Sequence, residues 1–349
     1  MDIINKIEEA DLVGRGGACF PVAKKWEAVK EASGEKKYVV CNAAEGEPGV
    51  RKDFFILENY PEKVISGMKL AMDFVGAKEG VIYLNHTYYK KIGKKIETII
   101  GDLPITIFIK PINTGYIGGE ASSLLNAIEG KRIEPRIRPP YPAESGLWGC
   151  PTLINNVETF YNVSLVNSAN YNNKRFFTVG GDCLNEGVYN LPEKYTIEKI
   201  LKETDNYPKF SFFVQVGGDG SGEVLNSSQL KRQASGAGSI TIYSIQKYSF
   251  KKIIKKWLEF SNEESCGQCT PCREGTYRLL EIINSDEQDW KLFYELLSNL
   301  KDSAFCSLGC AVPMPVQSFI KNVMPEIPSK QLKLKEQDFS NICQCFSAN

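Results

Sequence analysis

The chain has 349 residues in which Lys+Arg and Asp+Glu balance at 42 each, giving no net charge. That balance removes any electrostatic case for nucleic acid or an anionic membrane surface, and no stretch approaches the roughly 18 uninterrupted apolar residues of a membrane span. The opening Met1-Asp2-Ile3-Ile4-Asn5-Lys6 has no signal-peptide anatomy, so a cytoplasmic chain without membrane insertion is expected.

Residues 1–168 alternate strand and helix patterns, which predicts an α/β sheet covered by helices. Lys37–Asn42 reads as a strand ending in a polar loop. Pro61–Val75 has apolar residues at helical spacing (Val64, Ile65, Met68, Leu70, Ala71, Phe74), and Gly80–Leu84 and Ile105–Ile109 read as further strands. The single histidine, His86, follows the strand-like Tyr83-Leu84-Asn85. One histidine cannot build a His-based metal site, and His86 reads as an ordinary strand-end residue. Across 169–248 short strands (Phe176–Gly181, Gly187–Tyr189, Phe210–Val216) surround one amphipathic segment, Thr196–Leu201, which suggests a small β-grasp module. Residues 249–328 turn helical (Phe250–Phe260, Gly275–Ile283, Trp290–Leu300, Val316–Val323) with short loops, as in a helical bundle. The polar, lysine-containing tail 329–349 is expected to be partly ordered at best.

Eleven cysteines in a chain of this size and compartment point to metal ligands rather than disulfides. Cys266-Gly267-Gln268-Cys269-Thr270-Pro271-Cys272 sets three thiols at C-x2-C-x2-C spacing, and Cys306 follows at a distance. Three ligands in one loop grip three corners of a cubane and a remote fourth closes it, whereas zinc prefers two pairs. A helix from Arg273 onward would stabilise the thiolates through its free N–H groups. Cys310 competes with Cys306 for the fourth position. Cys343 and Cys345 are either spare thiols of the tail or a contact to a partner's cofactor. Cys19, Cys41, Cys150 and Cys183 read as packed small hydrophobes.

Four loops add a second theme. Gly14-Arg15-Gly16-Gly17-Ala18-Cys19-Phe20-Pro21 precedes a helix beginning near Val22, an arrangement that suits close approach to a phosphate or flat ring, although a tight structural turn would look the same. Asn42-Ala43-Ala44-Glu45-Gly46-Glu47-Pro48-Gly49 ends the first strand, so its polar groups gather where open α/β sheets bind ligands. Gly115-Tyr116-Ile117-Gly118-Gly119-Glu120 and Thr152-Leu153-Ile154-Asn155-Asn156-Val157-Glu158-Thr159 complete the set.

In this order, over residues 10–325, the loops and cysteines resemble the NADH-oxidising flavoprotein subunit of respiratory complex I. They equally resemble the corresponding subunits of NAD-linked hydrogenases, formate dehydrogenases and electron-bifurcating enzymes. The resemblance implies a Rossmann-like FMN-binding domain, then a β-grasp (SLBB-type) domain, then a helical bundle with one [4Fe–4S] cluster on Cys266, Cys269, Cys272 and Cys306. It implies that Gly14, Arg15, Gly16 and Gly17 line the flavin and dinucleotide, that Lys25 lies close to FMN, and that Asn42 and Glu45 contact it. Tyr116, Gly119 and Glu120 would wall the pocket, and Asn155, Asn156 and Thr159 would hold the ribityl phosphate. For NAD(H), or NADP(H), Phe20 and Tyr141 match adenine-stacking positions, Glu47 a carboxylate near ribose and nicotinamide, and Arg138 a basic residue near the dinucleotide. Glu47 and Lys25 are the residues nearest the chemistry, although Glu47 before Pro48 and Tyr141 within Arg138-Pro139-Pro140-Tyr141-Pro142 could also be plain turn residues.

The sequence departs from the family at Ala44 (usually Asp), Ala121 (usually Glu) and Ala28 (often aromatic), mostly on the nucleotide side. Two functions follow from the resemblance: electron exchange between NAD(P)H and a partner iron–sulfur chain, or a flavin and iron–sulfur relay that has lost the nucleotide. Both imply partner subunits, such as a [2Fe–2S] thioredoxin-like subunit and a catalytic or ferredoxin-linked one. Neither a thioredoxin-like N-terminal domain nor a two-cluster C-terminal ferredoxin domain is expected within the chain.

Overall fold

The computed structural model describes residues 2–168 and 171–347, so the expected boundary between 168 and 169 touches a residue outside the described ones. Contacts divide the chain into two compact units, Met1–Gly46 with Arg51–Phe176 and Glu47–Val50 with Phe177–Asn349. The second unit takes in residues 177–248 of the segment expected as a β-grasp module and the whole segment expected as a bundle, whereas 171–176 fall in the first unit.

The first unit contains α1 (Ile3–Glu9), α2 (Val22–Glu31), β1 (Tyr38–Ala43), α3 (Lys52–Asn59), α4 (Pro61–Val75), β2 (Glu79–Leu84), α5 (His86–Ile100), β3 (Ile105–Ile109), α6 (Ala121–Ile128), β4 (Thr152–Asn156) and α7 (Val157–Val166). Its sheet has the order β3-β2-β1-β4, and every pair is parallel, with Val40 opposite both Val81 and Ile154. Parallel strands are covered on both faces, which is why the β1 and β2 segments read as nearly unbroken apolar runs. Helix α4 starts on Pro61 and stops at left-handed Gly76. It packs so closely on α7 that a Cβ on Gly67 would come within 1.9 Å of the Phe160 carbonyl oxygen. His86 does not end a strand as expected but opens α5. Asn85 caps that helix by accepting from Thr87 N, which turns the chain out of β2.

The second unit starts within β5 (Lys174–Gly181) and continues through β6 (Gly187–Pro192), α8 (Ile197–Glu203), β7 (Phe212–Val216), β8 (Glu223–Asn226) and β9 (Ser239–Ser244). These strands form a mixed sheet of order β6-β5-β9-β7-β8, with β5–β9 parallel and both β7–β9 and β7–β8 antiparallel. Phe177, Val179, Val214 and Ile242 share a core with Ile197, Ile200 and Leu201 of α8. The helical region follows: α9 (Phe250–Glu263), α10 (Thr270–Asn284), α11 (Trp290–Ser303), α12 (Ser307–Ala311), α13 (Pro313–Asn322) and α14 (Glu336–Ser347). Phe213 and Tyr243 join the core of these helices, and the Phe213 ring lies 5.3 Å from Phe319.

Two further expectations are corrected. The tail forms α14 because Phe339, Ile342, Cys343 and Phe346 recur at helical spacing. Ile342 is fully buried, and Trp290 Nε1 donates to Asp338 Oδ1 at 3.1 Å. Cys19 is exposed at φ +50° rather than packed, while Cys41 is buried and Cys150 and Cys183 are half-buried. Among the described residues, no helix is long and apolar enough to cross a membrane.

Candidate functional site

Because the four strands run parallel in register, their carboxyl ends (Asn42, Leu84, Ile109 and Asn156) come to one edge of the first unit's sheet. The glycine loop is folded onto that edge. A bridge between Val13 and Pro21 closes its base, and Gly14 N donates to Phe20 O at 2.8 Å. Arg15 N donates to Thr159 Oγ1 at 3.0 Å, and a Cβ on Gly16 would stand 3.3 Å from Asn156 Cβ, so this backbone lies against the end of β4. Gly17, at φ +112°, borders open space; a side chain there would be strained and would project into the opening.

The other expected residues make the following contacts. Lys25 Nζ donates to Ile154 O at 3.3 Å and sits 5.9 Å from the Phe20 ring centroid, and burial lowers its pKa. Asn42 Nδ2 donates to Gly119 O at 2.8 Å, where Gly119 passes so near Ala44 that a Cβ would stand 3.3 Å from Ala44 Cβ. Half-buried Tyr116 precedes the turn Ile117–Gly119. Glu120 caps α6, accepting from Ser122 N at 2.8 Å and Ser123 N at 2.9 Å, and pairs with Arg138. With its amide turned to suit its neighbours, Asn155 accepts from Trp26 Nε1 at 2.8 Å. Phe20 and Tyr141 are exposed aromatics.

One group of functional candidates was missed by sequence reasoning. Lys52, Asp53 and Glu158 are buried. Lys52 Nζ lies 2.6 Å from Asp53 Oδ1 and 3.2 Å from Glu158 Oε2, and it donates to Asn156 Oδ1 at 3.0 Å. Asn156 Nδ2 donates to Asp53 Oδ2 at 2.6 Å. Glu45 joins the group from the β1 loop, accepting from Asp53 N at 2.9 Å, Phe54 N at 3.3 Å and Tyr88 OH at 2.7 Å. Burial, then the charge of Asp53, pushes the Glu45 carboxyl up to about 7. Burial alone would lower Lys52, but the surrounding Asp53, Glu158 and Glu45 outweigh it and hold the ammonium protonated.

Glu47 belongs to the second unit. Its Oε1 accepts from Gly220 N and Ser221 N, both at 3.1 Å, and from Ser221 Oγ at 3.0 Å. It is a carboxylate held by main-chain donors rather than a solvated turn acid.

The thiols gather in the helical part of the second unit. Gly267 turns the loop at φ +75° after Cys266, and Arg273 Nη1 donates to Gly267 O at 2.8 Å. Cys269 occupies the cap position of α10, which begins at Thr270, three residues earlier than expected. A Cβ on Gly309 would come within 3.6 Å of Cys272 Sγ, so the turn after Cys306 packs on Cys272. Burial pushes the Cys272 thiol up to about 11 despite its contact with Ser265, and the nearby Cys269, Cys306 and Cys266 add to the shift. Cys310 is more exposed, its Sγ donates to Ala304 O at 3.3 Å, and burial and the neighbouring Cys269 raise its pKa. Among the described residues, no three His, Cys, Asp or Glu side chains converge tightly enough to hold a single ion. Corner ligands of a cubane each bind a different iron, so they stand farther apart than ligands around one centre. The all-thiol donor set fits the cluster. The glycine-lined opening and the ammonium of Lys25, which has one carbonyl partner for three donors, fit an anionic flavin nucleotide.

A flavin site on a parallel sheet and an iron–sulfur site on a helical region, in one chain, define an electron-transfer flavoprotein. Residues 7–165 match the Nuo51 FMN-binding domain, and residues 252–330 match the NADH-ubiquinone oxidoreductase-F iron-sulfur binding region. The NADH-quinone oxidoreductase F subunit of Aquifex aeolicus is 31% identical over 97% of this chain and 87% of its own length. The alpha subunit of the NAD-reducing hydrogenase HoxS of Cupriavidus necator is 30% identical over 95% of this chain, which spans 60% of that relative. A solved NAD+-reducing [NiFe]-hydrogenase in the H2-reduced state superposes with a TM-score of 0.85 at 29% identity, covering 97% of this chain and 63% of that one. The chain belongs to the family of NADH-quinone oxidoreductase F subunits: it is an oxidoreductase flavoprotein with FMN and a [4Fe–4S] cluster as cofactors.

Proposed function

We propose that this chain is the NAD(P)H-linked component of a cytoplasmic multisubunit oxidoreductase, moving electrons between a nicotinamide nucleotide and a partner's iron–sulfur chain. The observation that carries this reading is that the glycine loop, Lys25, Asn42 with Gly119, and Asn156 come together at the carboxyl edge of a parallel sheet.

FMN would be held by Gly14, Arg15, Gly16, Gly17, Lys25, Asn42 and Glu45, walled by Tyr116, Gly119 and Glu120, with Asn155, Asn156 and Thr159 toward its phosphate. Bound FMN supplies the exchange between two-electron and one-electron steps, and that chemistry is the cofactor's own. The chain's residues bind and orient. Lys25, whose charge burial disfavours, offers donors toward a flavin, while Phe20 and Tyr141 offer ring faces to adenine. Arg138 and Glu120 supply charged groups on the nucleotide side. Cys266, Cys269, Cys272 and Cys306 would hold the cluster, with Cys306, which acts on Cys272 beside Cys269 and Cys266, preferred over the more exposed Cys310. The five-stranded sheet with α8 is read as the SLBB-type β-grasp domain, 169–248, between the FMN domain and the bundle in chain order. A [2Fe–2S] thioredoxin-like subunit and a catalytic or ferredoxin-linked subunit are the partners that would complete the electron path.

Ala44 and Ala121 favour a second reading, a relay without nucleotide. Anaerobic titration of the FMN-loaded protein with NADH and NADPH, following flavin absorbance, decides between them. Bleaching by either nucleotide supports the first reading. A flavin reduced by dithionite but untouched by saturating nucleotide establishes the relay.

A further inference from the structure

The sulfur of a cluster ligand carries part of the charge that an added electron brings, so a hydroxyl beside that sulfur bears on electron transfer without touching iron. Ser265, between the end of α9 and the triple-cysteine loop, is such a neighbour. Its Oγ lies 3.3 Å from Cys272 Sγ, and Gly267 N donates to the same oxygen at 3.3 Å. As a free thiol, Cys272 donates to Ser265. A cluster ligand is a thiolate with no proton to give, so the hydroxyl, which can rotate, becomes the donor. Gly267 N occupies a lone pair of that oxygen and leaves its proton for the sulfur. Both flanking helices hold the pair together. Ser265 N donates to Asn262 O at 3.4 Å on α9, and Thr276 Oγ1, buried on α10, lies 3.1 Å from Asn262 Oδ1 and 2.7 Å from Cys272 O.

We propose that Ser265 raises the reduction potential of the iron–sulfur cluster by donating its hydroxyl hydrogen bond to the Cys272 thiolate. It is a positioning residue, acting through Cys272. One electron, supplied by reduced flavin, passes to the cluster; the hydroxyl keeps its proton, and no bond to Ser265 forms or breaks. The reduced cluster bears one more negative charge than the oxidised one, so a donor aimed at its sulfur stabilises the reduced form more. Removing that donor therefore makes the cluster a poorer electron acceptor. The inference rests on Cys272 being a cluster ligand, as the proposed function has it, and on no residue of the flavin site.

Redox titration of the full chain with its cluster, followed by electron paramagnetic resonance, reads the midpoint potential directly. Ser265→Ala should keep its iron and shift the midpoint to a more negative potential. Ser265→Thr, which retains a hydroxyl, should stay close to the unsubstituted protein. Ser265→Val has the shape of threonine without the hydroxyl and should follow Ser265→Ala, which separates the hydrogen bond from packing. Unchanged midpoints in Ser265→Ala and Ser265→Val overturn the proposal, and so do equal shifts in Ser265→Thr and Ser265→Val. Loss of the cluster from both hydroxyl-free variants would make Ser265 a requirement for assembly rather than a setting of potential, and overturns it as well. Cys272→Ser tests the reading beneath. If that variant keeps the unsubstituted iron content and spectrum, the ligand assignment fails and the proposal with it. If it loses them while Ser265→Ala keeps its midpoint, the assignment stands and the proposal alone falls.

Discussion

Asn156 Nδ2 donates to Asp53 Oδ2 at 2.6 Å, fastening the end of β4 to the first turn of α3 across 103 residues of sequence. Asp53 also accepts from Lys52, so one carboxylate both orients a candidate cofactor ligand and balances a buried ammonium.

Asp53→Ala should therefore be severe. Removing one partner of a buried ion pair leaves the other inadequately compensated and costs about 3–5 kcal/mol. Denaturant unfolding should show a loss of that order, whereas Lys69→Ala, which breaks an exposed pair with Asp73, should change stability by less than about 1 kcal/mol.

Glu45 predicts a pH signature. Its folded pKa of about 7 lies above the ordinary 4.5, so the native state binds the proton more tightly than the unfolded chain. The resulting stability is fully present below the ordinary value and is lost as pH rises through about 7. The difference between the unsubstituted protein and Glu45→Gln should therefore drift by roughly 3 kcal/mol across that window, in favour of the variant at high pH. Parallel pH profiles for the two proteins would exclude the shift.

Cysteine substitutions should separate ligands from bystanders. Cys269→Ser and Cys306→Ser should lose the broad iron–sulfur absorption and most of the bound iron. Cys310→Ser should retain both, since its thiol is engaged with the Ala304 carbonyl. Full iron in Cys306→Ser together with loss in Cys310→Ser would transfer the fourth ligand to Cys310.

Ala121 follows the Glu120 cap at the start of α6, where the resemblance read from the sequence leads one to expect a second carboxylate. A hydrogen bond to a charged group contributes about 1.5–3 kcal/mol, so Ala121→Glu should tighten NADH binding about ten- to hundred-fold in the anaerobic titration. No change would locate the nucleotide elsewhere.

Much of this was legible in the sequence. Pro61–Val75 and Ile105–Ile109 are a helix and a strand over the same residues that periodicity marks, because packing there agrees with local pattern. The triple-cysteine loop needs only its spacing. Lys52-Asp53 was illegible for the opposite reason: adjacent opposite charges at a helix start look solvated, and their burial is decided by Asn156 and Glu158, more than 100 residues away. The α14 stripe was visible in Phe339, Ile342, Cys343 and Phe346, but the polar residues between them masked it. Glu47 gave no local sign that its carboxylate would be taken by Gly220 and Ser221.

That last attachment bears on biosynthesis. Glu47–Val50 is the second unit's property, although the chain before and after it belongs to the first. Emerging early from a ribosome, these four residues must wait for Asp219, Gly220 and Ser221, since Asp219 N donates to Pro48 O at 2.8 Å and Glu47 accepts from the other two. A gene cut after the first sheet would thus yield a strap with no buckle, whereas a cut that keeps residues 1–245 preserves every partner named for it.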